Sequence, residues 1–417
     1  MNQNIRVILK PKEDREVQEG FPWIYANEIE VIKFPAKDGI KTVALEEFAG
    51  KDGDVVDLFS NAGAFLGSGV LNTKSKITLR LISRLHADKI LEDRRGFWLK
   101  KIRDAVNIRR ASFSDSESCR LVFGEADFVP GFVADRFVSQ GKVYVVVQFL
   151  ALSCEVFRSE ILAALKSYVK PDFIYERSDA TVRQKEGLPL CSGWVDAKGA
   201  ETIEIEENGL RFLVDIARGQ KTGFFLDQKL NRERIRKFCH GKRVLDAFCH
   251  TGAFGLNAFA AGAKQVVCVD SSQDAIALAA KNIELNGAGT KVVCVCSDVF
   301  ELLKKYEMEG EKFDVIVLDP PAFASKANAE SIKKAYGGYK EINLRAMRLL
   351  QEGGILATSS CSAYFDSNTF YSMLVHAAKD SKKRVQVLEK LGASSDHPVL
   401  LGYPKSEYLK FGICRVL

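Results

Sequence analysis

Up to about residue 80 the apolar residues come in short runs of β type, at 5–9, 42–45, 55–59, 65–71 and 77–82. Gly50, Gly53, Gly63 and Gly67 punctuate these runs, a pattern that predicts a small barrel or compact sheet. From 92 to 110 the period lengthens to that of a helix. Phe97, Trp98, Ile102, Ala105 and Val106 form an apolar stripe, with Arg94, Arg95, Lys101, Arg109 and Arg110 largely off it. A strand pair at 121–123 and 142–149, a helix near 155–167 and a strand at 173–176 follow, the order of an α+β unit. Segments 202–206 and 210–215 flank Asn208-Gly209, the strongest short signal for a hairpin turn. Beyond Val244 short apolar runs at 243–247, 265–270, 291–296, 313–318 and 354–359 alternate with amphipathic stretches such as 273–285. That alternation predicts an α/β fold with a parallel, doubly wound sheet of Rossmann-like type. The expected domains are therefore 1–80, 81–195 and 196–417.

Length and composition are consistent with this division. A chain of 417 residues exceeds what one core usually fills, and 47% hydrophobic with 27% charged residues is ordinary for a globular protein. No apolar run reaches the ~18 residues of a membrane span. The stretch from Met1 to Pro11 carries Arg6 and Lys10 and has no apolar core of a signal peptide, so a cytoplasmic location is expected. The ten cysteines show neither C-x-x-C nor zinc-finger spacing, so neither a disulfide framework nor a metal site is expected. Between Lys74 and Arg110 twelve Lys or Arg stand against four Asp or Glu, a surplus larger than the net +6 of the whole chain. Such a segment is either a solvated helix face or an electrostatic footprint for a phosphate backbone.

In a doubly wound sheet, ligands bind beyond the C-terminal strand ends. The first strand of the alternating block runs into Asp246-Ala247-Phe248-Cys249-His250-Thr251-Gly252. Gly252 permits a tight turn and close approach of a ligand. Neither G-x-G-x-x-G nor a G-x-x-x-x-G-K-[ST] phosphate loop is present, which suits S-adenosylmethionine, a cofactor without phosphate. Asp270 ends the second strand, where a carboxylate can accept ribose hydroxyls, and Asp298 follows the third, on the side of the adenine. Each aspartate alone could be a helix cap; a series of acids at successive strand ends makes a sharper case. The fourth strand ends in Asp319-Pro320-Pro321-Ala322-Phe323. This run resembles motif IV of methyltransferases acting on nucleobases, in which the acid and nearby carbonyls hold the polar edge of a base. Phe323 can stack on that base or serve as a core aromatic.

Longer segments resemble one bacterial family. These are Gly20-Phe21-Pro22-Trp23-Ile24-Tyr25, Gly124-Glu125-Ala126-Asp127 with Pro130-Gly131, Glu176-Arg177-Ser178-Asp179, and Gln220-Lys221-Thr222-Gly223-Phe224-Phe225-Leu226-Asp227-Gln228 with Asn231-Arg232. Asp396-His397-Pro398-Val399 and Glu407-Tyr408-Leu409-Lys410 complete the series, so the resemblance spans nearly the whole chain. The family is that of class I ribosomal RNA large-subunit methyltransferases with a PUA domain. The resemblance implies a PUA domain, a central α/β domain and a Rossmann-like methyltransferase domain. It also implies S-adenosylmethionine as cofactor, 23S ribosomal RNA as partner, and a cofactor site from Gln220, Phe225, Asp227, Asp246, Gly252, Asp270, Asp298 and Asp319. It leaves the oligomeric state open, a homodimer included.

The best-known branch methylates carbon 5 of cytosine, a poor nucleophile until a thiolate adds at carbon 6. The fifth strand ends Thr358-Ser359-Ser360-Cys361-Ser362, and Cys361 resembles the nucleophile of the T-C-S motif. The catalytic residues implied are Cys361 and Asp319, with Pro320, Pro321 and Phe323 at the base. Ala322 departs from the pattern, since many cytosine-C5 enzymes carry a second cysteine there. Other readings are methylation of an exocyclic amine with Cys361 structural, an NAD-dependent dehydrogenase, and a non-catalytic RNA-binding assembly factor.

Overall fold

The computed structural model describes residues 5–37, 39–323 and 328–417. It divides into two compact units. One comprises Met1–Ile203, Asp215–Phe224 and Ser395–Ser406; the other comprises Glu204–Val214, Phe225–Ser394 and Glu407–Leu417.

The first unit holds two sheets. Its seven-stranded sheet runs, in spatial order, Trp23–Tyr25, Ile77–Ser83, Phe65–Leu71, Val55–Phe59, Arg6–Leu9, Ile29–Ala36 and Gly39–Val43. Val7, Leu9, Ile24, Val56, Leu58 and Leu79 form its fully buried core. Ile29–Ala36 escapes the sequence pattern because only Ile29 and Ile32 are buried in eight residues, and Pro35 interrupts the run. The five-stranded sheet runs Cys191–Trp194, Phe173–Ser178, Lys142–Phe149, Phe132–Ser139, Cys119–Phe123. The expected pairing of 121–123 with 142–149 is therefore wrong, because Phe132–Ser139 lies between them and pairs with both. Asp135 and Arg136 disguise that strand. Both are buried there, Asp135 accepting hydrogen bonds from Arg120 and Thr222 while Arg136 donates to Asp115 and the Ser114 and Glu117 carbonyls.

The expected helix at 92–110 breaks at Asp93, giving Ala87–Glu92 and Arg94–Arg110. The Asp93 carboxylate accepts the Gly96 amide at 2.9 Å and so caps the second piece. Trp98, Ile102, Ala105 and Val106 are buried as the stripe predicts. The basic surplus of this segment is largely used inside the unit. Arg80 is bonded to Glu125 and Glu186, Arg109 to Asp127, Arg94 to Glu160 and Arg110 to Asp115. Arg84 donates to the Leu66 and Val17 carbonyls, and Lys101 lies over the Phe97 and Phe128 rings. Counting residues therefore overstates the positive charge this segment presents.

The second unit begins with the hairpin Thr202–Glu207 and Leu210–Asp215, most of which it contains. Asn208 and Gly209 have φ of 54° and 71°, the paired positive values of a type I′ turn. Seven strands follow: β1 (Arg243–Ala247), β2 (Gln265–Asp270), β3 (Val292–Cys296), β4 (Phe313–Leu318), β5 (Leu350–Ser360), β6 (Val385–Leu391) and β7 (Lys410–Val416). The helices between them are α1 (Ala253–Ala260), α2 (Gln273–Leu285), α3 (Val299–Glu309), α4 (Ala329–Leu349) and α5 (Ser367–Ser381). The sheet order is β3-β2-β1-β4-β5-β7-β6. Strands β1 to β5 are parallel, and β7 is antiparallel to both β5 and β6. The order reverses beside β1, which places the ligand crevice at the β1 and β4 ends. Leu245, Ala247, Ile316, Leu318 and Leu356 are buried against Tyr339, Ile342, Met347 and Phe370 of the flanking helices. Among the described residues no helix is long and apolar enough to cross a membrane.

Candidate active site

The loop after β1 is shaped by three residues with positive φ in close succession: Phe248 at 64°, His250 at 48° and Gly252 at 77°. Non-glycine residues adopt this conformation rarely, and such positions cluster at functional sites. Two carboxylates hold the loop. Asp270, at the end of β2, accepts the His250 amide through one oxygen and the Ser272 amide through the other, each at 2.9 Å. Asp246 accepts the Gly255 amide at 2.7 Å from the first turn of α1. Gly255 itself is required by space: a Cβ there would stand 2.4 Å from Cys268 Sγ and 3.2 Å from Asp246 Oδ2. Asp246 is fully buried and its Oδ1 has no hydrogen-bond partner among the described residues. Burial pushes its pKa up to about 7, helped by the charges of Asp319 and Asp270.

The remaining acids divide. Asp319, at the end of β4, accepts Gln228 Nε2 at 2.8 Å and the Ser359 hydroxyl. Gln228 is oriented in turn by Asn231, which donates to its Oε1 at 2.7 Å and to the Gly392 carbonyl at 2.9 Å. Burial raises the Asp319 pKa to about 6 against these donors, with Asp227 adding repulsion. Asp227 is buried, accepts the Tyr408 hydroxyl, and its carbonyl accepts the Ser394 amide. Asp298 is exposed and caps α3, accepting the Glu301 amide at 3.1 Å. Phe225 sets its ring edge-on to His250, 5.1 Å between centroids. Gln220 is exposed on the 215–224 stretch of the first unit, where its carbonyl accepts the Gly223 amide. Asp246, Asp270, Asp319 and Asp227 thus share one electrostatic neighbourhood, while Asp298 is held by its own helix.

Beyond Asp319 the chain turns through buried Pro320 and exposed Pro321 to Phe323, whose ring packs on Tyr339 at 4.6 Å and near Phe300 and Phe248. Cys361 immediately follows β5, and its Sγ lies 3.8 Å from the Pro320 carbonyl. Lys410, the first residue of β7, pairs with Ser360 and donates to the Ser362 carbonyl at 2.6 Å. No role for Gln228, Asn231, Ser359, Tyr408 and Lys410 is evident from the sequence alone. Four of them lay in the motifs that carried the resemblance, but only the folded chain brings them to Asp319, Asp227 and Cys361.

S-adenosylmethionine carries a ribose diol, an ammonium and a sulfonium, and it needs acceptors and negative charge rather than a phosphate cradle. The carboxylate neighbourhood, the unpartnered Asp246 oxygen and the left-handed loop fit that group. Residues 170–399 match the S-adenosylmethionine-dependent methyltransferase family, over half of the chain. The chain belongs to this methyltransferase family. Residues 7–84 match a PUA-like domain. The methyltransferase is 36% identical to proteins named "Ribosomal RNA large subunit methyltransferase I" from Erwinia tasmaniensis and Serratia proteamaculans, over 99% of this chain and 100% of theirs. It also shares its fold with a methyltransferase crystallised with SAH (TM-score 0.80, 22% identity, 98% of this chain and 99% of that one). A SAM-dependent methyltransferase from Streptococcus mutans gives a TM-score of 0.78 at 21% identity, with the same coverage.

Proposed function

We propose that this methyltransferase acts on carbon 5 of a cytosine in large-subunit (23S) ribosomal RNA, with Cys361 as nucleophile. The observation that carries the reading is the placement of the Cys361 sulfur 3.8 Å from the carbonyl of Pro320, next to the acid that would grip the base. The names of the relatives support ribosomal RNA as the substrate. In this reading Phe225, Asp227, Asp246, Gly252, Asp270, Asp298 and Asp319 line the cofactor side, and Pro320, Pro321 and Phe323 the base side; Gln220, on the 215–224 stretch of the first unit, is a further candidate for the cofactor. Bound S-adenosylmethionine supplies an electrophilic sulfonium methyl. Asp319, oriented by Gln228 and Ser359, hydrogen-bonds the N3/N4 edge of cytosine as charge builds in the ring. The Cys361 thiolate adds at carbon 6, which makes carbon 5 enamine-like. After methyl transfer the carbon 5 proton passes to a base or water, the C–H electron pair re-forms the carbon 5–carbon 6 double bond, and the thiolate leaves with the pair of the carbon–sulfur bond.

Ribosomal RNA from a strain lacking this protein should accept one methyl group from the purified enzyme, mapped by mass to carbon 5 of a single cytosine. Cys361→Ala should lower the rate by a factor of at least 10³. Transfer by this variant at the wild-type rate would remove the nucleophile and point instead to an exocyclic amine of guanine or adenine.

A further inference from the structure

We propose that Lys410 is a positioning residue for Cys361: its buried ammonium holds the sulfur in the thiolate form beside Pro320. The proposal rests on the reading of Cys361 as nucleophile, but the property it assigns can be measured without any RNA.

The antiparallel pairing of β5 with β7 sets Lys410 directly opposite Ser360, one residue before the cysteine. Only 4% of Lys410 is exposed, and its Nζ donates to the Ser362 carbonyl at 2.6 Å and the Tyr408 carbonyl at 2.8 Å. Two of three ammonium protons are thus satisfied by neutral carbonyls that bracket the cysteine on one side and β7 on the other. Among the described residues no carboxylate lies within ion-pair distance of this ammonium, unlike the buried Arg80, which has two, and Arg109 and Arg232, which have one each. A buried cation without a carboxylate is costly unless some other anion compensates it. Burial lowers Lys410 to about 8, opposed by negative charge at Cys361 first and then at Asp366 and Glu407. Tyr339 of α4 also faces the sulfur, and burial raises its phenol to about 12, so it stays neutral. Asp319 acts on the same tyrosine from the end of β4. Lys410 is therefore a cation placed to act on the thiolate.

Ionisation breaks the S–H bond of Cys361 and with it the hydrogen bond that the thiol donates to the Pro320 carbonyl; the proton passes to bulk water, and the electron pair stays on sulfur. At neutral pH Lys410 keeps all three of its protons during this step. The same electron pair then forms the bond to carbon 6 and returns to sulfur on release.

The test is the pH dependence of Cys361 alkylation by iodoacetamide in the full-length protein, read by mass spectrometry of the Cys361 peptide. A free thiol ionises near ~8.5. The wild-type midpoint should lie at least one pH unit below that value. Lys410→Gln keeps donors for both carbonyls but removes the charge; it should raise the midpoint by one unit or more and slow alkylation at pH 7 about tenfold, with an unchanged plateau at high pH. Lys410→Arg should stay within half a unit of wild type. A wild-type midpoint at or above ~8.5 would overturn the proposal, whatever the variants do. So would a folded Lys410→Gln protein with the wild-type midpoint. Undiminished methyl transfer by Cys361→Ala would instead sink the nucleophile reading and leave the alkylation result intact.

Discussion

Asp246 is fully buried, with one oxygen on the Gly255 amide and its neighbours Asp270 and Asp319 also acidic. Its carboxyl ionises near ~4 in the unfolded chain and near 7 in the folded one. Below the lower value both states hold the proton and the fold has its full stability from this group. As pH rises through the higher value the buried carboxylate must ionise and stability is lost, at most on the order of 4 kcal/mol at ~1.4 kcal/mol per unit. The ligand-free protein should therefore melt at a lower temperature at pH 8 than at pH 5.5. Asp246→Asn, which retains an acceptor for Gly255, should flatten that dependence, and an equally steep slope in the variant would contradict the assignment. A cationic cofactor favours the ionised form, so the affinity for S-adenosylmethionine, measured by calorimetry, should rise between pH 6 and 8 in the wild type and lose that rise in Asp246→Asn. The acids were legible in the sequence because the apolar runs fixed where β1, β2 and β4 end. Asp298 is placed by the same logic, and it also caps α3. Gln228 and Lys410 are not legible in the sequence because their roles depend on partners 91 residues away in one case and 48 in the other.

At the scale of elements, α1 approaches β1 and β2 as closely as its glycine allows. Gly255→Ala would drive a methyl group into Cys268 Sγ, so it should cost about 1–3 kcal/mol in urea denaturation. Adding Cys268→Ala should recover much of that loss; no recovery would place the strain elsewhere. The parallel strands were readable because they are buried on both faces and appear as uninterrupted apolar runs. The same rule fails for β6, an edge strand with four of seven residues exposed, and neither β6 nor β7 was anticipated. It fails again for Phe132–Ser139, where ion pairs let charged residues occupy a central strand. The break at Asp93 escaped because an apolar stripe gives the phase of a helix but not its first residue.

Across the whole molecule, buried ion pairs do structural work that net charge conceals. The Arg109 and Asp127 side chains are each 1% exposed, and Arg109 also donates to the Asp396 carbonyl at 2.7 Å, fastening the Ser395–Ser406 segment within the first unit. Arg109→Met leaves a buried carboxylate behind and should destabilise the protein by roughly 3–5 kcal/mol. The double variant Arg109→Met, Asp127→Leu should be less impaired than the single one, as read by thermal unfolding. These pairs also limit what the basic segment offers to RNA, so the affinity for ribosomal RNA should depend less steeply on salt than twelve cations would imply. The central claim, attack by Cys361 on carbon 6 of a cytosine, is tested most directly with 23S ribosomal RNA transcribed with 5-fluorocytidine. Fluorine at carbon 5 blocks the final release, so incubation with the enzyme and S-adenosylmethionine should give a denaturant-stable complex cross-linked through the Cys361 peptide. Normal methylation of the unsubstituted RNA without any such complex, or a complex through another residue, would contradict the account.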